Sequence, residues 1–282
     1  AVDDGDSWVL NGEKMWITNG SAADVAVVFA QTGDHGNPKS IRAFLVHRDD
    51  EGYSAPLIKK KIGLKASVTS SIVLQDCRIP KDRLLPGTEK GLRTALMCLN
   101  SARFGICFGV LGAATACYEE ARDYTASRAP FGTPLNETQL IQAKLAKILT
   151  NITLSQAATW RLGQLKDQDR VTPTQISMLK RQNVRMALET ASSAREMLGG
   201  SGITYEFHSG RHETNLISVD TYEGTHDVHM LVIGAEITGK PAFFSSTTPT
   251  HRPSPAEHGA NGSTSGNGQA VGETTPAVQT EG

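Results

Sequence analysis

GLRTALMCLNSARFGICFGV, residues 91–110, is where the chain changes its period. Leu92, Leu96, Leu99, Ile106 and Val110 recur at three- to seven-residue spacing, as on one face of a long helix. Upstream, residues 7–80 read as β. Val25 to Ala30 and Ile41 to Val46 are short apolar runs rich in strand formers, and Ser70 to Leu74 is a further strand that Ile79-Pro80 closes. Asn11-Gly12, Asn19-Gly20 and Gly33-Asp34-His35-Gly36 punctuate the strands as turns. Spacing this short leaves no room for crossover helices, so the pairing is expected to be antiparallel.

Downstream the helices continue. Pro130 and Pro134 break the first. A second is expected to open at Asn136 as N-cap, with Gln139 three residues on, and to bury Ile141, Leu145, Ile148 and Ile152. A third has Thr172 as N-cap, Pro173 at the first helical position and Gln175 closing a capping box. It carries Ile176, Leu179, Ala187, Ala191 and Ala194 to a stop at Gly199-Gly200. A fourth begins after Thr225 and ends at Gly239. Several long helices with short loops and one apolar face each predict an antiparallel bundle. The fold class is therefore α+β, an antiparallel β domain over 1–88 followed by a helical bundle over 89–243. Residues 244–282 are Ser, Thr, Pro, Gly and Asn with almost no large apolar side chain, and read as a disordered tail.

The gross numbers narrow the partners. The chain has 282 residues, with 28 Lys+Arg against 29 Asp+Glu, so its net charge is −1. That gives no electrostatic reason for nucleic acid or an anionic membrane. No apolar run is read as reaching the roughly 20 residues of a membrane span. Cys98, Cys107 and Cys117 stand in apolar, helix-like surroundings; with Cys77 they make no CxxC pair and read as buried free thiols in a reducing compartment. The chain starts at Ala1 and enters a strand within a few residues, so it reads as a fragment or as a product lacking its beginning, with no targeting segment.

Thr221-Tyr222-Glu223-Gly224-Thr225-His226-Asp227 sets one carboxylate, Glu223, directly before a helix start. Unused backbone N–H groups there stabilise developing negative charge. A base beside such donors suits removal of a proton α to a carbonyl. The other candidates have plain alternatives. Trp16-Ile17-Thr18 offers a flat face and a hydroxyl, or is core. Arg128 to Gly132 suits a phosphate and a ring, or is an interhelical turn. Leu198 to Gly202 lets backbone approach a phosphate, or is a helix C-cap. Lys59-Lys60-Lys61 with Lys65 could meet an acidic cofactor, or protects a strand edge. Arg103 in an apolar helix needs either an ion-pair partner or an anionic ligand. His226 with His229, or His208 with His212, has helix-face spacing for a metal, but nothing completes a ligand set, so no metal is expected.

Together Trp16 to Thr18, Arg128 to Gly132, Glu196 to Gly202 and Tyr222 to Asp227 resemble the acyl-CoA dehydrogenase family in order and content, over residues 8–243. Cys98 to Ile106, Leu165 to Asp169, and Thr221 to Asp227 with His229 resemble its glutaryl-CoA dehydrogenase branch. The resemblance implies an FAD enzyme that takes an acyl-CoA thioester to its α,β-enoyl product, with glutaryl-CoA decarboxylated on to crotonyl-CoA. Glu223 would be the base. Trp16, Ile17 and Thr18 would lie against the isoalloxazine. Arg128, Phe131 and Gln139 would hold the ADP part, with Glu196, Met197, Leu198, Gly199 and Gly200 contributed by a neighbouring subunit. Thr225, His226 and Asp227 would also touch FAD. Leu96, Met97, Cys98, Leu99, Asn100, Ser101, Ala102 and Arg103 would line the acyl-CoA channel with Tyr222 and Gly224. Family members imply a homotetramer, electron-transfer flavoprotein as acceptor and the mitochondrial matrix. Their N-terminal helical domain, and the loop ahead of the Trp16 strand, have no counterpart in these residues. Another short or branched acyl-CoA, an oxidase using O2, or a non-catalytic remnant are the alternatives.

Overall fold

The computed structural model describes residues 1–33 and 36–242. Asp34 and His35 of the expected turn, and the expected tail at 244–282, lie outside the described residues.

The β part is built on one long pairing. β2 (Ser7–Thr18) runs antiparallel to β6 (Thr69–Pro80), flanked by β1 (Val2–Asp4) and the short β5 (Tyr53–Ser54), in the order β1-β2-β6-β5. β3 (Val25–Gln31) and β4 (Ile41–His47) form a separate antiparallel pair. Inward alternation on these strands buries Leu10, Val28, Phe44, Val46, Ile72 and Leu74 in one cluster. Register slips twice on β2, between Leu10 and Gly12 and between Lys14 and Ile17. The second slip is a bulge that carries Trp16 at φ +64, and bulges re-aim side chains.

Five α-helices follow: α1 (Leu92–Ser127), α2 (Gln139–Asp167), α3 (Pro173–Met197), α4 (Ser209–Thr221) and α5 (His226–Thr238). The core lies between α1, α2, α3 and α4, and its tight side is the alanine face of α3, with Ala187, Ala191 and Ala194 fully buried. The capping box at Thr172 forms as read, with Gln175 N donating to Thr172 Oγ1 at 3.2 Å and Thr172 N to Gln175 Oε1 at 2.9 Å. At the other end of the bundle sequence, α5 stops on a left-handed Gly239. The two parts of the chain touch where Leu64 N donates to Asn215 Oδ1 on α4 at 2.8 Å.

Several expectations are corrected. Asn136 does not cap α2: residues Leu135–Glu137 make a 3₁₀ turn and Thr138 is the N-cap. Residues 209–221 form a helix of their own. The apolar stripe read along α1 is buried only from Cys107 onward, and Leu92 and Leu96 are exposed. α1 is also, by length and composition alone, apolar enough to cross a membrane, with an 18-residue window of mean hydropathy 1.5. That replaces the expectation that no run approaches a span. Among the cysteines Cys98 is exposed, and Cys77, Cys107 and Cys117 are buried and free. The Lys59–Lys61 run is on a loop, where Lys61 Nζ ties Leu64 O and Thr69 Oγ1 together.

Candidate active site

The loop between α4 and α5 is short because both helix ends are closed locally. Tyr222 N donates to Ser218 O at 3.0 Å, ending α4, and Thr225 Oγ1 accepts from Val228 N at 3.2 Å, starting α5. Glu223 and Gly224 bridge them at φ +56 and +94. Glu223 is thus a non-glycine residue in the left-handed region, which persists only where surroundings over-determine it. Gly224 is required by space as well as by φ: a Cβ there would lie 3.0 Å from His229 Nε2 and 3.3 Å from Arg103 Nη2.

Two cations reach this loop from other helices. Arg103 on α1 donates from Nε to Glu223 O at 2.7 Å, so its protein partner is a backbone carbonyl in place of the expected ion pair. Lys180 on α3 donates from Nζ to the carbonyls of Val219, Tyr222 and Gly224, each at 2.9 Å. Burial pushes the Lys180 ammonium down to about 8. His229, one turn into α5, is fully buried against the same backbone, and its ring makes no hydrogen bond of ordinary geometry. Burial lowers it to about 4, with Lys180 and Arg103 adding to the effect, so the ring is neutral. The Glu223 carboxylate itself has a buried oxygen, Oε2, with no protein partner. A buried unpaired carboxylate oxygen is costly, and it marks a group kept available for something outside the chain. Tyr222 is half exposed beside it. A cavity of about 180 Å³ runs from Tyr222 along α1 and α4, lined by Ile106, Val110, Ala113, His212 and Val219.

His226 opens α5 as an acceptor: Arg181 Nε donates to its Nε2 at 3.2 Å, which requires a neutral ring. Burial and then Arg181 lower its pKa. Thr225 spends its hydroxyl on the cap, and Asp227 is exposed in the first turn. Of the residues expected to line an acyl-CoA channel, Leu96, Met97, Cys98, Ser101 and Ala102 are exposed, Leu99 and Asn100 half-buried.

Trp16 is 62% exposed, so the core alternative is overturned and a planar aromatic face is offered outward. Ile17 packs partly into the β core and Thr18 is exposed. That flat surface and the orphaned Glu223 oxygen fit a planar ring cofactor whose neighbour gives up a proton.

The remaining cofactor candidates stand elsewhere. Arg128 caps the far end of α1, 25 residues beyond Arg103, or about 38 Å along a continuous helix. Tyr124, one turn before it, pairs its hydroxyl with Ser201 Oγ at 3.2 Å. Lys144 on α2 pairs with Glu196 at 2.9 Å. Arg128, Gln139 and Glu196 to Gly200 therefore gather at one end of the bundle, with Phe131 91% exposed there. The expected division, Arg128 and Gln139 from one subunit and Glu196 to Gly200 from another, does not suit this grouping. Met197 and Leu198 turn into the core, at 4% and 1% exposure, and offer a ligand only backbone.

Lys180 was missed in the sequence. Its signal was position: it sits four residues after Ile176 and four before Val184, on the buried stripe of α3.

The sequence compares with known proteins as follows. The profile of the acyl-CoA dehydrogenase C-terminal domain matches residues 89–238, and that of the acyl-CoA dehydrogenase middle domain matches residues 1–77. The mitochondrial short-chain specific acyl-CoA dehydrogenase of Homo sapiens is 36% identical over 234 residues, 83% of this chain and 57% of the relative. Glutaryl-CoA dehydrogenase from Mycobacterium smegmatis superposes with a TM-score of 0.82 at 48% identity, covering 86% of this chain and 61% of that one. The same enzyme in complex with FADH2 gives a TM-score of 0.82 at 49% identity, with the same coverage of 86% and 61%. A chain in the electron-transferring flavoprotein structure of Acidaminococcus fermentans matches with a TM-score of 0.78 at 30% identity, over 84% of this chain and 62% of that one. The chain spans about three-fifths of the length of these relatives.

Proposed function

The chain belongs to the acyl-CoA dehydrogenase family, and on that premise we propose that it supplies the base and much of the cofactor site for FAD-dependent α,β-dehydrogenation of an acyl-CoA thioester. The observation that carries this is the unpartnered buried oxygen of Glu223, held on a loop in the left-handed region. A carboxylate so placed takes the α-proton: the C–H electron pair moves into the thioester, and charge develops on the carbonyl oxygen. The Glu223 N–H is the donor this chain offers that oxygen. FAD, when bound, supplies the acceptor for the β-hydride. Trp16, Ile17 and Thr18 flank its ring system, and Thr225, His226 and Asp227 adjoin it. Tyr222, Gly224 and the α1 segment Leu96 to Arg103 border the acyl-CoA.

Arg128, Phe131, Gln139 and Glu196 to Gly200 hold the ADP part, and a neighbouring copy supplies them as one group. Their position about 38 Å along α1 from Arg103 supports that, because one extended cofactor then draws on the two ends of two chains. A homotetramer accommodates such sharing, and an electron-transfer flavoprotein is the acceptor.

Glutaryl-CoA is the substrate proposed, with crotonyl-CoA and CO2 as products. The identity of 48% to a glutaryl-CoA dehydrogenase, against 36% to a short-chain enzyme, favours it. The mitochondrial human relative favours the mitochondrial matrix expected from the family, and the more similar Mycobacterium smegmatis protein favours a bacterium.

Glu223→Gln in the FAD-loaded protein tests the base. Anaerobic bleaching of the flavin by glutaryl-CoA is expected to slow by about 10³-fold or more. Rapid bleaching retained in this variant would show that another group takes the proton. A panel of short and branched acyl-CoAs, with electron-transfer flavoprotein or O2, separates glutaryl-CoA from the alternatives. Purified chain without stoichiometric FAD would favour the remnant reading.

A further inference from the structure

Lys180 is 1% exposed in the middle of α3. All three of its N–H donors are used, on Val219 O, Tyr222 O and Gly224 O at 2.9 Å each. Among the described residues it makes no ion pair. A buried ammonium is held far more commonly by a carboxylate, because desolvating a charge without an opposite one is costly. Here carbonyls take all three hydrogen bonds, and the Asp220 and Glu223 carboxylates act on the ammonium only from beyond ion-pair distance. Val219 O is one of the last carbonyls of α4, which have no partner inside the helix, so the ammonium also sits at the negative end of that helix.

The three acceptors lie on both sides of Glu223, and the carbonyl between them, Glu223 O, is taken by Arg103 at 2.7 Å. Tyr222, Glu223 and Gly224 thus have every carbonyl fixed by a cation from a different helix. There are no cis peptide bonds among the described residues, and in a trans peptide C=O and N–H point in opposite directions. Drawing Tyr222 C=O toward Lys180 therefore aims the Glu223 N–H away from α3. The Glu223 and Gly224 N–H groups donate to no protein acceptor among the described residues. Hydrogen bonding of a carbonyl to an ammonium also polarises its peptide and strengthens the N–H as a donor.

We propose that Lys180 is a positioning residue for the reaction: from inside α3 it holds the Tyr222 and Gly224 carbonyls so that the Glu223 N–H and carboxylate face the thioester together. Lys180 touches neither substrate nor reacting atoms, and acts through the Tyr222–Glu223 peptide. The inference rests on Glu223 being the base, as argued above.

The test uses the FAD-loaded protein with Lys180→Met, which keeps length and apolar stem and removes the donors, and Lys180→Arg, which restores charge and donors. Three readouts are taken. Amide exchange of the segment 217–226 is compared with that of α1 and α3. Binding of acetoacetyl-CoA, whose enolate carries charge on oxygen, is compared with binding of an S-alkyl-CoA thioether, which has no carbonyl. kcat and KM are measured with glutaryl-CoA. For Lys180→Met the expectation is faster exchange confined to 217–226, and about tenfold or greater loss of acetoacetyl-CoA affinity with thioether affinity changed by less than about threefold. kcat falls by about tenfold or more with KM nearly constant, and Lys180→Arg recovers part of each loss. Should Lys180→Met not fold, Lys180→Gln, with two donors on a shorter stem, is read by the same criteria. Unchanged exchange at 217–226, or equal weakening of both CoA ligands, overturns the proposal. If Glu223→Gln keeps bleaching its flavin, the assignment of the base fails by itself, and the exchange and binding comparisons still decide whether Lys180 holds the loop.

Discussion

Glu223 stands at φ +56 among three basic side chains, and only one of the three is neutral at pH 7. His229 is that one. Burial is the main reason it sits at about 4, with Lys180 and Arg103 as the charges facing it. The unfolded chain takes a proton at this position below about pH 6.5, and the folded chain does not until about pH 4. Stability is therefore fully present above the unfolded pKa and is lost as pH falls from 6.5 toward 4, by a ceiling on the order of 3 kcal/mol. Urea unfolding between pH 7 and 4.5 measures the slope. His229→Gln, polar and non-titrating, is expected to flatten it, and an unaltered slope in that variant would place the acid sensitivity elsewhere. None of this was legible in the sequence, where His229 could be read only by its spacing from His226 and as part of the family resemblance. The carboxylate at Glu223 was legible because a helix start follows it at once. The cations that hold its backbone were not, since Arg103 and Lys180 come from helices 120 and 43 residues away in the chain.

Helix ends separate what could be read from what could not. Thr172-Pro173-Thr174-Gln175 forms its capping box because every partner lies within three residues. Asn136 offered the same kind of cap, and the chain instead makes a 3₁₀ turn there, with Thr138 Oγ1 donating to Leu135 O at 2.7 Å. α4 has no local cap at all, which is why its start was not seen. Its N-terminus is closed by Glu120 on α1, which accepts from His208 N at 2.7 Å, Ser209 N at 2.8 Å and Ser209 Oγ at 2.6 Å. Burial pushes the Glu120 carboxyl up, but these donors outweigh it and hold it below the usual range. A carboxylate at a helix N-terminus satisfies orphan N–H groups and complements the dipole. Glu120→Ala is accordingly expected to lower stability by about 1–2 kcal/mol in chemical denaturation. Since α4 leads directly into Glu223, faster amide exchange should follow from residue 208 onward, and a change below a few tenths of a kcal/mol would mean water replaces the cap.

At the scale of the molecule, order along the chain was readable and long-range partnership was not. β2 and β6 pair across the whole β part, with Trp8 opposite Ile79. Two bulges set that register, and neither leaves a mark that alternation alone reveals. Likewise the length of α1 was readable, but its consequence needs the bundle. α1 carries Arg103 near one end and Arg128 at the other, and Tyr124 with Ser201 fixes the glycine segment beside Arg128. If one FAD meets Glu223 of one copy and Arg128 of another, the two functions complement in trans. Consider the catalytically competent protein co-expressed as an equal mixture of Glu223→Gln and Arg128→Ala chains. Random pairing makes half of the pairs mixed. In each mixed pair one site carries both changes and the other carries neither. About a quarter of all sites are then intact, so about a quarter of wild-type activity is expected from two chains that are each nearly inactive alone. Activity no greater than the average of the two parents would mean that each copy builds its site alone, and the grouping of Arg128 with Glu196 to Gly200 would need another purpose.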